Sequence, residues 1–439
     1  MQPLSLVNLQ HCGPSSLDHL LGKLVYLFGG FLIYPNMLKT CLSTFYPLLG
    51  VNNFRYFPVF VFANKHSFPR KRRQISSIFI VLVRKYNMTD TTSTNYSYVR
   101  DTWKAIDGVE AGLGGVILGV TVSLLWIFYG RLTGISGMLE KVIKVNKEKA
   151  YQWQLHYLSG LYGASYVYIQ CTKTQVLQTT PLPSWLYVIG GLFVGFGTRL
   201  GCGCTSGHGL SGLSRFSVRS LAAVCAFFIP AVVVANLVHG SGDALEGGFS
   251  DPAWYESNTI SGATLMALSL IPTLRDFSLE TIHVYIFGAL FGIGLSLSGM
   301  VNNTIVLSFL NFNKFWNPAL MFVLTFGSGT FAVTYWIREH WKSKPLYADK
   351  NSLPDKKDVD MKLIAGEVLF GIGWGLCGLC PGPAVAALSV PAVGTIFIPS
   401  VVVGMKILEY ISTESTLVDA SDAEKEGNVN LNDVIASNP

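Results

Sequence analysis

Two short stretches hold the residues best able to do chemistry. Gly195 to Gly212 sets Cys202, Cys204, Thr205, Ser206 and His208 among glycines, and Gly371 to Ala384 sets Cys377 and Cys380 just before Pro381-Gly382-Pro383. A neutral thiol is a weak donor and a weak acceptor, suited to brief contact with a passing ligand, whereas a thiolate is a nucleophile or a metal ligand. Glycines at this density expose backbone amides, which together with hydroxyls can replace the hydration shell of an anion. Passage of an anion past thiols therefore fits, and so does covalent chemistry at a reactive cysteine. A soft-metal site from Cys202, Cys204 and His208, with Cys380 as fourth ligand, has the right atoms. Cys377 and Cys380 have the spacing of a redox pair, and Gly373 to Gly378 matches a dinucleotide fingerprint letter by letter. No strand or βαβ context accompanies that match, which is then coincidence.

Composition fixes the setting. Hydrophobic residues make up 50% of the chain and charged ones 13%, with 44 glycines, which points to a polytopic membrane protein rather than a disordered or ordinary soluble one. Net charge is +6, with most Lys and Arg between apolar segments, where they act as topology signals; nucleic acid is not an expected partner. Six of the eight cysteines lie in or beside apolar segments, unlike a secreted disulfide framework.

From Val109 onward apolar spans follow at 109–129, 154–171, 184–201, 218–238, 282–298, 317–337, 362–376 and 393–411, with a shorter one at 259–272. After four of them comes a Gly-rich break and a short second helix. The breaks are Gly130 to Gly137, Gly201 to Gly212, Gly294 to Met300 and Gly375 to Ala384. Glycines four apart precede each one: Gly115 and Gly119, Gly191 and Gly195, Gly288 and Gly292, Gly371 and Gly375. Such pairs let two helix backbones approach closely in lipid. The expected fold is an all-α polytopic membrane protein of about eight to nine transmembrane helices, with four re-entrant loops or short helices arranged as internal, inverted repeats. Non-helical backbone at membrane depth must face protein or water, so the four breaks should converge. If 259–272 crosses, Lys141, Lys144, Lys147, Lys149, Arg275 and the loop from Arg338 to Lys362 share the cytosolic side, opposite Asp243, Glu246, Asp251 and Glu256.

The residues of Gly197 to Gly209, Gly-Thr-Arg-Leu-Gly-Cys-Gly-Cys-Thr-Ser-Gly-His-Gly, resemble the YeeE/YedE family of sulfur-transport membrane proteins. The Gly130 to Gly137, Phe291 to Met300 and Gly373 to Ala384 segments look like that family's other units, so the resemblance covers about 108–411. It implies a compact helical fold with re-entrant loops and uptake of thiosulfate or a related sulfur anion along a narrow, cysteine-lined path. The thiols carried over are Cys204 and Cys380. The first break departs from the thiosulfate-uptake branch in having Ser136 and no cysteine, and Cys202 and Cys377 look additional.

The candidate path residues are thus Cys204, Cys380, Thr205, Ser206, His208, Ser136, Ser298, Asn302, Cys202, Cys377 and Arg199. Gly203, Gly207, Gly209, Gly378, Pro381, Gly382 and Pro383 shape the loops. Thr205 and Ser206 suit caps of a short helix starting near Leu210, and Pro381 and Pro383 suit the first turn of another. His208 fits an anion donor and equally a bond that ties its loop; Arg199 fits an anion counter-charge and equally a clamp on loop carbonyls. Cys171 and Cys225 read as small packing residues.

The expected layout is an extension at 1–87 that is a targeting segment or an upstream addition before Met88, a polar lead-in at 88–108 and a first membrane half at 109–239. A connection at 240–281, a second half at 282–411 and a disordered polar tail at 412–439 complete it. The function expected is uptake of a small sulfur-containing anion, with a membrane thiol enzyme or persulfide carrier, or transport of another small anion, as the competing readings. No catalytic residue, metal or cofactor is assigned. The partners are the anion, the bilayer and an unidentified soluble sulfur-handling protein, in a plasma or organelle membrane.

Overall fold

The computed structural model describes residues 105–144, 152–172, 182–240, 252–312, 316–354, 356–390 and 392–425, all within the unit Thr92–Pro439. The extension 1–87, most of the lead-in and residues 426–439 of the tail lie outside them, as do Cys12 and Cys41.

Every described element is helical. Helix α1 (Ala105–Tyr129) stops at residues 130–134 before α2 (Ile135–Ile143), and α3 (Gln152–Thr172) follows. Helix α4 (Ser184–Leu200) stops at residues 201–204 before a π-helical turn, Thr205–Gly212, a 3-10 turn, Leu213–Arg215, and α5 (Val218–His239). Helix α6 (Pro252–Arg275) joins this half to the next. There α7 (Leu279–Leu297) stops at residues 298–302 before α8 (Asn303–Leu310), and α9 (Ala319–His340) follows. Helix α10 (Met361–Cys377) stops at residues 378–380 before α11 (Pro381–Ala386), and a second π-helical turn, Ala392–Phe397, runs into α12 (Ile398–Lys425). The breaks are shorter than the glycine content suggests, because most of those glycines remain hydrogen-bonded in the flanking helices. The expected polar tail also differs, since α12 carries the helix on through its first residues to Lys425.

Among the described residues, five helical segments are long and apolar enough to cross a membrane: Gly108–Tyr129, Val218–His239, Leu279–Leu297, Ala319–His340 and Ala392–Thr413. The bent pair Ser184–Leu200 and Thr205–Arg215, with 49° between its parts, adds a sixth. Helix α10 stops at 17 residues, and the segment expected near 259–272 lies within the longer helix α6.

Packing follows the glycines. Gly115 and Gly119 face the backbone of α9, Gly288 and Gly292 face α3, Gly191 and Gly195 face α12, and Gly371 and Gly375 face α5. A Cβ at Gly115 would stand 2.6 Å from the Val323 carbonyl, and one at Gly375 2.5 Å from the Ala231 carbonyl, distances that real Cβ atoms do not reach. Helix α1 also packs on α7, and α4 on α10. Exchange of the two halves maps this set of helix pairs onto itself.

Candidate functional site

The second break is shaped by one turn of left-handed backbone and one missing side chain. Gly130, Gly299 and Gly378 give the other breaks their positive φ, but in this one the left-handed residue is Cys202, at φ 58°. The Gly203 amide then donates to the Thr198 carbonyl at 2.9 Å, which turns the chain back over the end of α4. A Cβ at Gly203 would run into the His208 imidazole, so only glycine admits the ring there. Cys204 follows in extended backbone and starts the π-helical turn, its carbonyl accepting from the His208 amide at 2.8 Å.

In the fourth break Gly378, at φ 67°, ends α10, its amide donating to the Trp374 carbonyl at 2.7 Å. Pro381 then occupies the first position of α11, where its missing N–H costs nothing. Cys380 stands immediately before it, and its carbonyl accepts from Ala384 at 3.0 Å.

These two breaks meet, and the first joins them. Thr205 Oγ1 lies 3.4 Å from Cys380 Sγ, and Cys204 Sγ lies 3.2 Å from Ser206 Oγ. The Ser206 hydroxyl also accepts from the Ile135 amide at 3.1 Å, at the start of α2, and Ser211 Oγ donates to the Thr133 carbonyl at 3.0 Å. Gly382 approaches Ile135 and Leu295, so that a Cβ there would find both within ordinary contact. Cys204 and Cys380 are 1% and 3% exposed, while Thr205, Ser206 and Gly207 are half-buried. A Cβ at Gly207 or Gly137 would meet nothing within 4 Å, so open space lies beside both the first and the second break.

The other sequence candidates are placed as follows. Ser136 is buried in the first turn of α2. Ser298 Oγ turns back to the Leu295 carbonyl at 2.9 Å, and Asn302 caps α8 by accepting from the Thr304 amide at 2.9 Å. Cys202 is exposed, while Cys377 donates to the Leu186 carbonyl at 3.0 Å, in the contact between α10 and α4. Arg199 reaches the Met405 carbonyl at 2.8 Å, Glu409 at 3.0 Å and Glu140 at 3.4 Å, and so ties α4 to α12 and α2. Thr205 and Ser206 lie within the first turn of the π-helical segment and direct their hydroxyls at neighbouring breaks rather than capping a helix near Leu210. Cys171 and Cys225 are exposed on the outer faces of their helices and are not packed inside.

One residue escaped the sequence reading. Glu367 is 0% exposed in the middle of α10, with Oε1 3.4 Å from His208 Nε2, and neither carboxyl oxygen has a hydrogen-bond partner. The signal was a lone acidic residue inside an apolar helix, which at membrane depth marks a functional position by default. At the start of the same helix Asp360 accepts from the Leu363 amide at 3.1 Å, which holds its carboxyl below the ordinary aspartate range, and it pairs with Arg219 at 3.2 Å. Among the described residues no three His, Cys, Asp or Glu side chains are grouped to hold a metal ion.

Residues 74–233 match the family described as sulphur transport, and residues 279–418 match a family described as of unknown function, DUF6691. A "Probable transporter" of Xylella fastidiosa strain Temecula1 is 42% identical over 133 residues, covering 29% of this chain and 87% of the relative. A second "Probable transporter", of Xylella fastidiosa strain 9a5c, is 32% identical over 127 residues, covering 29% of this chain and 91% of the relative. Nearly the whole of each relative is therefore aligned, on less than a third of this chain. With its apolar spans and its cysteine-bearing breaks, the chain is a multi-pass integral membrane protein and belongs to the sulfur-transport family of the YeeE/YedE type.

Proposed function

We propose that this protein takes up a small sulfur-containing anion, thiosulfate first among them, along a path between the breaks in which Cys204 and Cys380 are successive soft contacts. The observation that carries the reading is the meeting of Thr205 with Cys380 at 3.4 Å beside the Cys204–Ser206 pair at 3.2 Å. A dianion entering low dielectric must exchange water for fixed donors. The hydroxyls of Thr205 and Ser206 and the first-turn amides of α2 and of the π-helical turn are such donors. Neither Gly134 nor Cys204 caps its helical start with its own side chain, whereas Asn302 caps α8 at the third break; the Ile135 amide is held by Ser206. Thiols add contacts too weak to trap the anion, which favours passage over storage.

In this reading the chain crosses the membrane eight or nine times, the two halves are inverted repeats and the breaks are re-entrant. Gly134 and Asn302 then stand at the positions equivalent to the cysteines, each just before the short helix of its break, and the plasma membrane is the site of uptake. The lysines Lys141 and Lys144 lie on the cytosolic side.

The test is uptake of radiolabelled thiosulfate by cells that lack their own importer. The intact protein supports uptake, and Cys204→Ala and Cys380→Ala lose most of it at equal membrane abundance. An abundant, inserted protein that takes up no thiosulfate contradicts the substrate.

A further inference from the structure

We propose that Glu367 and His208 form a buried proton-binding pair that carries one proton inward with each anion, which makes the protein a proton-coupled transporter. The inference rests on the anion-uptake reading above and adds its energy source.

The geometry is specific. His208 Nε2 faces Glu367 Oε1 at 3.4 Å, and on its other side His208 Nδ1 meets Ser220 Oγ at 3.3 Å. The carboxyl presses on the backbone of the second break, since a Cβ at Gly201 would stand 2.6 Å from Glu367 Oε1. Both carboxyl oxygens and His208 Nε2 are buried without a hydrogen bond. A lone ion in low dielectric costs several kcal/mol, so the pair holds at least one proton between its two members and is then neutral overall.

The groups facing the pair decide what a second proton does. Arg219, at the start of α5, is engaged by Asp360 and by the Asp358 carbonyl, and Arg215 by the Ser211 carbonyl at 3.0 Å. Both arginines and Cys204 lie within electrostatic reach of the pair. From α4, Arg199 is turned away to Glu140 and Glu409, and α8 carries no titratable side chain. A second proton therefore makes the pair a cation directly behind the Cys204 loop, where it stabilises an anion; by reciprocity the anion stabilises the proton. When the anion leaves, the isolated cation is disfavoured and the proton departs with it. No bond other than those to the proton is made or broken.

The experiment uses the full chain in liposomes with the membrane voltage clamped, an interior pH dye and radiolabelled thiosulfate as probe. With one-to-one coupling, a gradient of one pH unit raises accumulated label about tenfold, since each tenfold step corresponds to one unit. The dye reports acidification that accompanies the label. In His208→Gln the remaining carboxyl can be neutral but never cationic, so this variant loses both the gradient stimulation and the acidification. Should that variant lack exchange, Glu367→Asp decides: gradient-driven uptake with a displaced pH dependence supports the pair, and an unchanged pH dependence overturns it. Equal uptake by the unmodified protein with and without the gradient, or a His208→Gln variant stimulated like the parent, overturns the coupling while leaving anion uptake intact. Absence of exchange in the unmodified protein overturns the anion-uptake reading itself, and the coupling with it.

Discussion

Thr205 and Cys380 stand 3.4 Å apart although 175 positions separate them in the chain. That contact joins a break in the first half of the molecule to a break in the second, and its position follows from packing. Helices α4 and α10 lie against each other with Gly190 and Gly373 at their contact, and each ends at its break. The two cysteine-bearing loops therefore arrive at one place because the helices that deliver them cannot be far apart.

Cys202 stands where three other breaks have a left-handed glycine, so its replacement separates scaffold from path. Left-handed backbone costs an ordinary residue roughly 1–2 kcal/mol, and Cys202→Gly removes that cost. The expected result is a raised melting temperature in detergent with unchanged thiosulfate uptake, in contrast to Cys204→Ala.

Gly203→Ala has the opposite outcome. Its new methyl group meets the His208 ring, which is held on its far side by Ser220, so the loop must shift. Overpacking of this kind costs on the order of 1–3 kcal/mol, and displacement of Cys204 lowers uptake further. Melting temperature and uptake measured on the same preparation should both fall.

Arg199→Gln probes the clamp. The guanidinium satisfies the Met405 carbonyl, Glu409 and Glu140, and none of the breaks. Its loss should lower stability by roughly 1.5–3 kcal/mol, the usual worth of hydrogen bonds to a charged group, without a selective effect on the affinity for thiosulfate. A raised half-saturation concentration at unaltered stability would instead place Arg199 on the path.

Asp360 gives a pH signature. Its folded carboxyl titrates below its unfolded value, so the stability it supplies is present above the ordinary carboxylate range and is lost as the pH falls from about 4 downward. Melting curves of the parent and of Asp360→Asn should therefore differ near neutrality and converge in acid.

Much of this was legible in the sequence. Apolar length gave the helices, and the glycine pairs gave the contacts that hold them, because Gly115, Gly195, Gly288 and Gly375 allow approaches that no other residue does. Break boundaries were less legible, since a glycine such as Gly294 or Gly375 serves a helix as readily as a turn. Arg199 had two readings of equal physical merit until its partners on α12 and α2 were seen. Glu367 was visible only as a single letter in an apolar run, and its meaning came from a histidine 159 positions away in the chain.

The most direct test of the path is chemical modification of its two thiols. In a variant with every cysteine other than Cys204 and Cys380 replaced by alanine, thiosulfate uptake should persist. A small charged methanethiosulfonate should block it, and excess thiosulfate should slow the block. A block of uptake that thiosulfate fails to slow, or uptake that survives complete modification of both thiols, would contradict passage of the anion between Cys204 and Cys380.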